Sequence, residues 1–205
     1  ISFSESDLWN PFDNKDNWIL TAGKIENLRI SAKKLNMAPE LLVLELCKLG
    51  GNAVMVVLFY RTEEDMRTFA GSDHSMICSD GSALPFDQKG RLPHPRSFGA
   101  SVRALGRLSR ELGDMPLERA IFKMTGKAAQ HFKIHDRGTI EVGKAADIVI
   151  FDPAIVNDAA TFIEPAQAPL GVTCVIVNGE IVIEAGQQNK VMPGKVLRAK
   201  SLTTT

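Results

Sequence analysis

Apolar positions along the chain fall into blocks of two kinds, one with helical spacing and one continuous or alternating. Residues 17–20, NWIL, read as a short buried strand. From Lys24 to Asn36 the apolar residues Ile25, Leu28, Ile30, Ala32 and Leu35 are interleaved with charges, predicting an amphipathic helix. A second helix is predicted from Pro39, a residue suited to a first turn, through Leu41, Leu42, Leu44, Leu46 and Leu49 to a stop at Gly50 and Gly51. AVMVVLFY then has the length and β-branched content of a strand buried on both faces. Thr62 opens T-E-E-D, an N-cap signature for a helix running towards Ala70, and SMICSD reads as a short strand ending at Asp80. Strand, helix, strand, helix, strand is the order of a parallel α/β unit, whose chemistry sits at the carboxyl ends of its strands.

Beyond Asp80 the pattern changes twice. Residues 81–99, GSALPFDQKGRLPHPRSFG, are rich in Gly, Pro and polar residues and too long for an ordinary connection, which points to a functional or mobile loop. SVRALGRLSRELG, MPLERAIFKMT and GKAAQHFKI predict consecutive short helices. After Gly138 the chain turns β in TIEV, ADIVIFD and GVTCVIVNGEIVIEAG, the last divided by Asn178-Gly179, a dipeptide that suits a tight hairpin because both residues tolerate positive φ. Residues 199–205 read as a disordered tail. The expected division is strand-helix units over 1–137 and a small β domain over 138–198.

Composition narrows the class. The 205 residues are 44% hydrophobic and 23% charged, enough apolar material for a core, and Lys plus Arg balance Asp plus Glu at 24 each. No net field favours nucleic acid or an anionic membrane, and neither is an expected partner. AVMVVLF is far shorter than a bilayer span. Cys47, Cys78 and Cys174 are odd in number and lie in apolar surroundings, predicting buried free thiols in a reducing, cytoplasmic setting. The opening ISFSESDLWNPF, apolar and aromatic from its first positions, reads as a cut point in a longer chain.

Few residues are placed for chemistry. Asp80, at a predicted strand end among small neighbours in C-S-D-G-S, can approach a substrate closely, although S-D-G is equally a turn motif in which the carboxylate bonds its own backbone. His94, Pro95 and Arg96 present a rigid arginine able to hold a carboxylate through two hydrogen bonds; alone, Arg96 also reads as a surface cation with an acidic neighbour. His131 and His135 have the four-residue spacing of two metal ligands on a helix, but the turn at H-D-R-G argues that the helix ends before His135. His74 reads as a loop residue, and Cys78 reads first as a packing residue and otherwise as a nucleophile or soft metal ligand beside the acidic strand end. No Gly-rich phosphate loop, nucleophile elbow or C-x-x-C pair occurs.

Taken in order, E-E-D-M-R at 63–67, S-D-G at 79–81, H-P-R at 94–96 and L-G-R at 105–107 resemble the N-acyl-D-amino-acid deacylases (D-aminoacylases) of the metal-dependent amidohydrolase superfamily. The likeness continues through KMTGKAAQHFKIHDRGTIEVGKAADIVIFDP and ATFIEPAQAPLGVTCVIVNGEIVIEAGQ, covering nearly the whole chain. It implies an α/β fold: the C-terminal portion of a (β/α)8 barrel followed by part of a small β-sandwich. It implies hydrolysis of a linear amide in a small-molecule N-acyl amino acid, with Asp80 moving the proton of the attacking water and Arg96 binding the substrate carboxylate. It also implies zinc in the complete enzyme. The family's His-x-His pair is absent and no complete metal site can be assembled here, with Asp80 at most a weak or outer ligand, so this chain alone is expected to hold no metal tightly and to be inactive without the N-terminal part of the same enzyme. Alternatives are a segment of a dihydroorotase- or hydantoinase-type cyclic-amide hydrolase, or a non-catalytic assembly module that forms homo-oligomers.

Overall fold

Asn27 decides where the first helix begins. The computed structural model describes residues 18–21, 24–51, 54–58, 61–88 and 93–197. Strand β1, Trp18–Thr21, pairs antiparallel with β2, Lys24–Asn27. The Asn27 side chain then accepts the Ile30 amide at 2.9 Å and caps α1, Leu28–Lys34. The helix expected from Lys24 is therefore split, because residues 24–27 find a ladder partner and Asn27 is a strong N-cap. Helix α2, Pro39–Gly50, starts at its proline and ends at Gly51, where φ is +50°. Strand β3, Met55–Val57, pairs with β1, giving a sheet of order β2-β1-β3.

Both ladders of this sheet are antiparallel, contrary to the parallel unit expected from element order. The two-residue link between β1 and β2 permits only a hairpin, since a parallel crossover needs a dozen residues or so. Ile19, Leu28, Ala32 and Leu42 form the core here, with Val43, Leu46, Val54 and Val56 packed around it.

The chain divides into two compact units, one ending at Met66 and the other beginning at Arg67, and helix α3, Glu63–Gly71, runs across the boundary. Its start is a reciprocal cap: Thr62 Oγ1 accepts the Asp65 amide at 3.0 Å, and the Asp65 carboxylate accepts the Thr62 amide at 2.9 Å. Residues 75–80, read as a strand, are extended but pair in no ladder among the described residues; the Ile77 amide donates instead to the Lys123 carbonyl at 3.4 Å. A strand-like segment makes no ladder without a neighbouring edge to pair with.

Helix α4, Arg96–Arg103, passes directly into a π-helical stretch, Ala104–Glu111. Two glycines seven residues apart let this rod lie against the loop at 156–160. A methyl group at Gly99 would stand 2.7 Å from Asp158 Cβ, and one at Gly106 2.5 Å from the Val156 carbonyl oxygen. Arg110 donates to that carbonyl at 2.7 Å and Asn157 Nδ2 to Glu111 at 2.6 Å. Helices α5, Leu117–Met124, and α6, Gly126–His131, follow. Leu105, Met115, Ala120 and Val156 make the core of this unit, flanked by Ile77, Ile121, Phe151 and Val172.

Three cations at 119, 123 and 127, spaced by four, hold the loop that leads to Asp80. Arg119 donates to the Gly71 carbonyl at 2.6 Å, Lys123 to the Ser72 carbonyl and to Ser75 Oγ, and Lys127 to the Asp73 carbonyl. Lys123 is only 2% exposed, and burial, helped by Lys127 and Arg119, pushes its pKa down. A buried ammonium is tolerable because its donors meet oxygens.

The C-terminal sheet is an antiparallel meander of β4, Ile148–Phe151, β5, Val172–Val177, β6, Glu180–Glu184, and β7, Gln187–Gln188. The hairpin turn falls at Asn178-Gly179 as its chemistry dictates, with φ of +47° and +86°. Arg137 reaches Asp147 and Asn178 Oδ1, tying the helical region to this turn. TIEV at 139–142 is in no ladder among the described residues, and Ile140 is 87% exposed. The three thiols are free, but only Cys174 is buried; Cys47 lies five residues past buried Leu42, off the helix's core-facing stripe, and Cys78 lies on the unpaired segment. Residues 199–205 lie outside the described residues. Among those described, no helix is long and apolar enough to cross a membrane.

One ion pair in the second unit has a pH signature. Arg67 grips Asp114 with Nε at 2.9 and 3.0 Å from its two oxygens, and this contact holds the Asp114 carboxyl below its ordinary 3.8. A carboxylate whose folded pKa is depressed contributes stability that is complete above the unfolded value and vanishes as pH falls through the folded one. The midpoint of urea denaturation, followed by circular dichroism, should therefore fall below about pH 5. D114N should lower it at pH 7 and shrink its acid dependence; an unchanged acid limb in D114N would show that the pair is not coupled to folding.

Candidate active site

Asp80 ends the extended segment at 75–80 with φ of +47°, a left-handed conformation that aspartate tolerates better than most residues. The next residue must be glycine for a different reason. A methyl group at Gly81 would lie 2.7 Å from Ser97 Cα and 3.2 Å from the Arg96 carbonyl oxygen, so the backbone after Asp80 rests directly on the first turn of α4. One side-chain bond pins it there, Ser97 Oγ accepting the Ser82 amide at 3.2 Å, and within the segment Ser79 Oγ accepts the Gly81 amide at 3.1 Å. Farther along, the rings of Phe86 and Phe98 pack at 5.5 Å.

This approach brings the two chemically loaded residues together. Arg96 Nη2 stands 3.1 Å from Asp80 Oδ2, with side chains 44% and 87% exposed. An ion pair so open to solvent gains little, since water and salt screen it and long side chains lose freedom. The pair is thus held by the backbone contact beneath it, and both partners stay accessible.

His94 completes the cluster. Its Nδ1 accepts the Arg96 backbone amide at 3.1 Å, which places the proton of the neutral ring on Nε2, and its ring meets Phe162 edge-on at 5.0 Å. Burial and the Arg96 cation push its pKa down, while Asp80 opposes them. Phe162 lies 68 positions beyond His94, and no spacing rule in the chain links the two.

The remaining candidates stay apart. His131 is the last residue of α6, edge-on to Phe132 at 5.0 Å, and His135 lies past the helix end, so the two share no helical face. His74 sits in an exposed turn and Cys78 is exposed. Among the described residues there is no group of three or more His, Cys, Asp or Glu able to hold a metal ion, and the charged partner beside Asp80 is a cation. These residues do not fit a metal centre, which needs about three protein ligands.

Known proteins match much of the chain in sequence. The amidohydrolase family Amidohydro_3 matches residues 86–183. The D-aminoacylase of Alcaligenes xylosoxydans xylosoxydans is 43% identical over 60% of this chain and 24% of its own length. The N-acyl-D-aspartate deacylase of the same organism is 38% identical over 69% of this chain and 27% of its own. The chain thus spans about a quarter of the length of the curated relatives it matches. Solved structures agree. A D-aminoacylase crystal structure superposes with a TM-score of 0.71 at 37% identity, over 81% of this chain and 33% of that one. The N-acyl-D-glutamate deacylase of Bordetella bronchiseptica, complexed with zinc and a phosphonate mimic of the tetrahedral intermediate, gives 0.76 at 33% identity, over 90% of this chain and 38% of that one.

The fold and sequence place this polypeptide among the amidohydrolases, as an α/β protein with a small sheet. Within them it belongs, over part of its length, with the D-aminoacylase family, in which zinc and copper are bound by the solved relatives.

G81A tests the contact under the cluster. The added methyl group must push the 80–82 backbone off α4, and overpacking against backbone costs about 1–3 kcal/mol. A lowered denaturation midpoint is expected, with a shifted Arg96 side-chain Nε–H resonance in the NMR spectrum. If both readings match the parent chain, the close approach does not exist in solution.

Proposed function

We propose that this chain is the C-terminal segment of a hydrolase that cleaves the amide bond of N-acyl-D-amino acids, with Asp80 as the proton-transferring carboxylate and Arg96 as the group that binds the substrate carboxylate. The observation that carries this reading is the 3.1 Å contact between Arg96 and Asp80. Arg96 already holds a carboxylate, the same group that an N-acyl amino acid offers, and it holds it in the open. A substrate carboxylate replacing Asp80 at the guanidinium could take the bidentate geometry that arginine favours and leave Asp80 free beside the scissile amide. Asp80 is then a base for the attacking water and later an acid for the departing amine. A cyclic-amide substrate of the dihydroorotase or hydantoinase type would have less use for such an arginine.

The partial span of the relatives supports a longer parent in which residues 1–137 supply closing strand-helix units of a (β/α)8 barrel and 138–198 part of a β-sandwich. Exposed Ile140 and the segments 75–80 and 139–142, in no ladder among the described residues, support the same reading, as edges suited to further strands. Three free thiols suit a cytoplasmic parent. Because these residues do not fit a metal centre, the segment by itself is catalytically silent.

Release of free amino acid from an N-acetyl-D-amino acid with zinc added tests this reading. The chain alone should give no turnover. In the complete zinc-loaded enzyme, D80N should lower kcat by about a hundredfold or more. R96A should mainly raise KM, by about ten- to a hundredfold, as expected for loss of a charge-assisted contact. Turnover by the chain alone, or an R96A enzyme with unchanged KM, would refute it.

A further inference from the structure

Helix α4 begins without a conventional cap. Its N-cap residue is Pro95, which has no amide hydrogen and no capping side chain. The first free donors are the amides of Arg96 and Ser97, and both are satisfied by one residue. Ser97 N donates to the His94 carbonyl at 3.1 Å, and Arg96 N donates to His94 Nδ1 at 3.1 Å. The second bond exists only while the imidazole is neutral and its Nδ1 lone pair is free. The ring is braced by Phe162, whose segment also supplies Asp158, packed under Gly99 and 3.4 Å from Arg103.

We propose that neutral His94 is a positioning residue for Arg96: its Nδ1 holds the Arg96 backbone amide, fixing where α4 begins and in which direction the guanidinium leaves it. The inference rests on the substrate-binding reading of Arg96. Among the described residues the acceptor of the Arg96 amide is His94 Nδ1, and the N-cap Pro95 has no side-chain acceptor to take its place. The charged groups around the ring are Arg96 at the start of α4 and Asp80 from the facing segment, while Phe162 contributes an uncharged ring. Burial keeps the ring neutral to lower pH than an open histidine, as the acceptor role requires.

Substitutions that move the acceptor separate this role from simple packing. Asparagine places its Oδ1 where Nδ1 stood, whereas glutamine reaches towards the Nε2 position. In the complete zinc-loaded enzyme, H94Q and H94A should raise KM for an N-acetyl-D-amino acid about tenfold with kcat within about twofold, the scale of one lost hydrogen bond. H94N should restore KM to within about twofold of the parent. The same variants should be indistinguishable on the matching C-terminal amide, which offers Arg96 no carboxylate. In this chain itself, the Arg96 backbone amide resonance should move in H94Q and stay in place in H94N. The proposal is overturned if R96A raises KM but H94N is as impaired as H94Q, if the amide substrate suffers equally, or if the Arg96 resonance ignores both changes. R96A with unchanged KM would instead bring down the substrate reading and this inference with it.

Discussion

The contact between the Gly81 backbone and the first turn of α4 is the constraint on which the candidate site depends. A glycine with less than van der Waals room for a methyl group lets two segments meet backbone to backbone, and two serine hydroxyls satisfy the amides that the approach would otherwise strand. The Asp80–Arg96 pair is its consequence. An ion pair this exposed could not itself pull the loop onto the helix, so the usual inference from salt bridge to structure runs backwards here.

The same economy recurs farther out. Gly99 and Gly106 allow α4 and its π-helical extension to press against 156–160, and that loop carries Phe162 to His94. On the other side, Arg119, Lys123 and Lys127 gather the carbonyls of residues 71–73 and lead the chain to Asp80. Cations bonded to backbone oxygens can hold a loop of any side-chain content, which suits a segment whose own sequence, G-S-D-H-S, has little to bury. The candidate residues Asp80 and Arg96 are thereby supported from two directions.

The absence of a metal-holding group among the described residues bears on how catalytic power is distributed. A proton-transferring carboxylate and a cation that orients substrate can be carried by one segment, whereas the ion that activates water demands several ligands converging within a few ångströms. On the proposed reading, such a division would place binding and proton movement on the segment seen here and metal activation on other strands. It accounts for a strong likeness to zinc-binding relatives in a chain that spans only a fraction of their length.

Local chemistry along the chain was enough for features decided by neighbours in sequence. Pro39 starts α2, Thr62 and Asp65 cap α3, and Asn178-Gly179 turns the C-terminal hairpin, because each depends on φ, ψ or a bond spanning a few residues. Asp80 and Arg96 were visible as candidates from residue type and motif order. Pairing was not visible: residues 24–27 read as helix became a strand once β1 lay beside them, and 75–80 and 139–142 read as strands find no partner among the described residues. Nor was the meeting of His94 with Phe162, or of Gly81 with Ser97, since neither leaves a periodic trace. Caps, turns and chemical inventory follow from neighbours along the chain, because the bonds involved span a few residues. The ladders and the meeting of the site's segments come from packing, because contact between distant segments depends on how each of them folds against the rest.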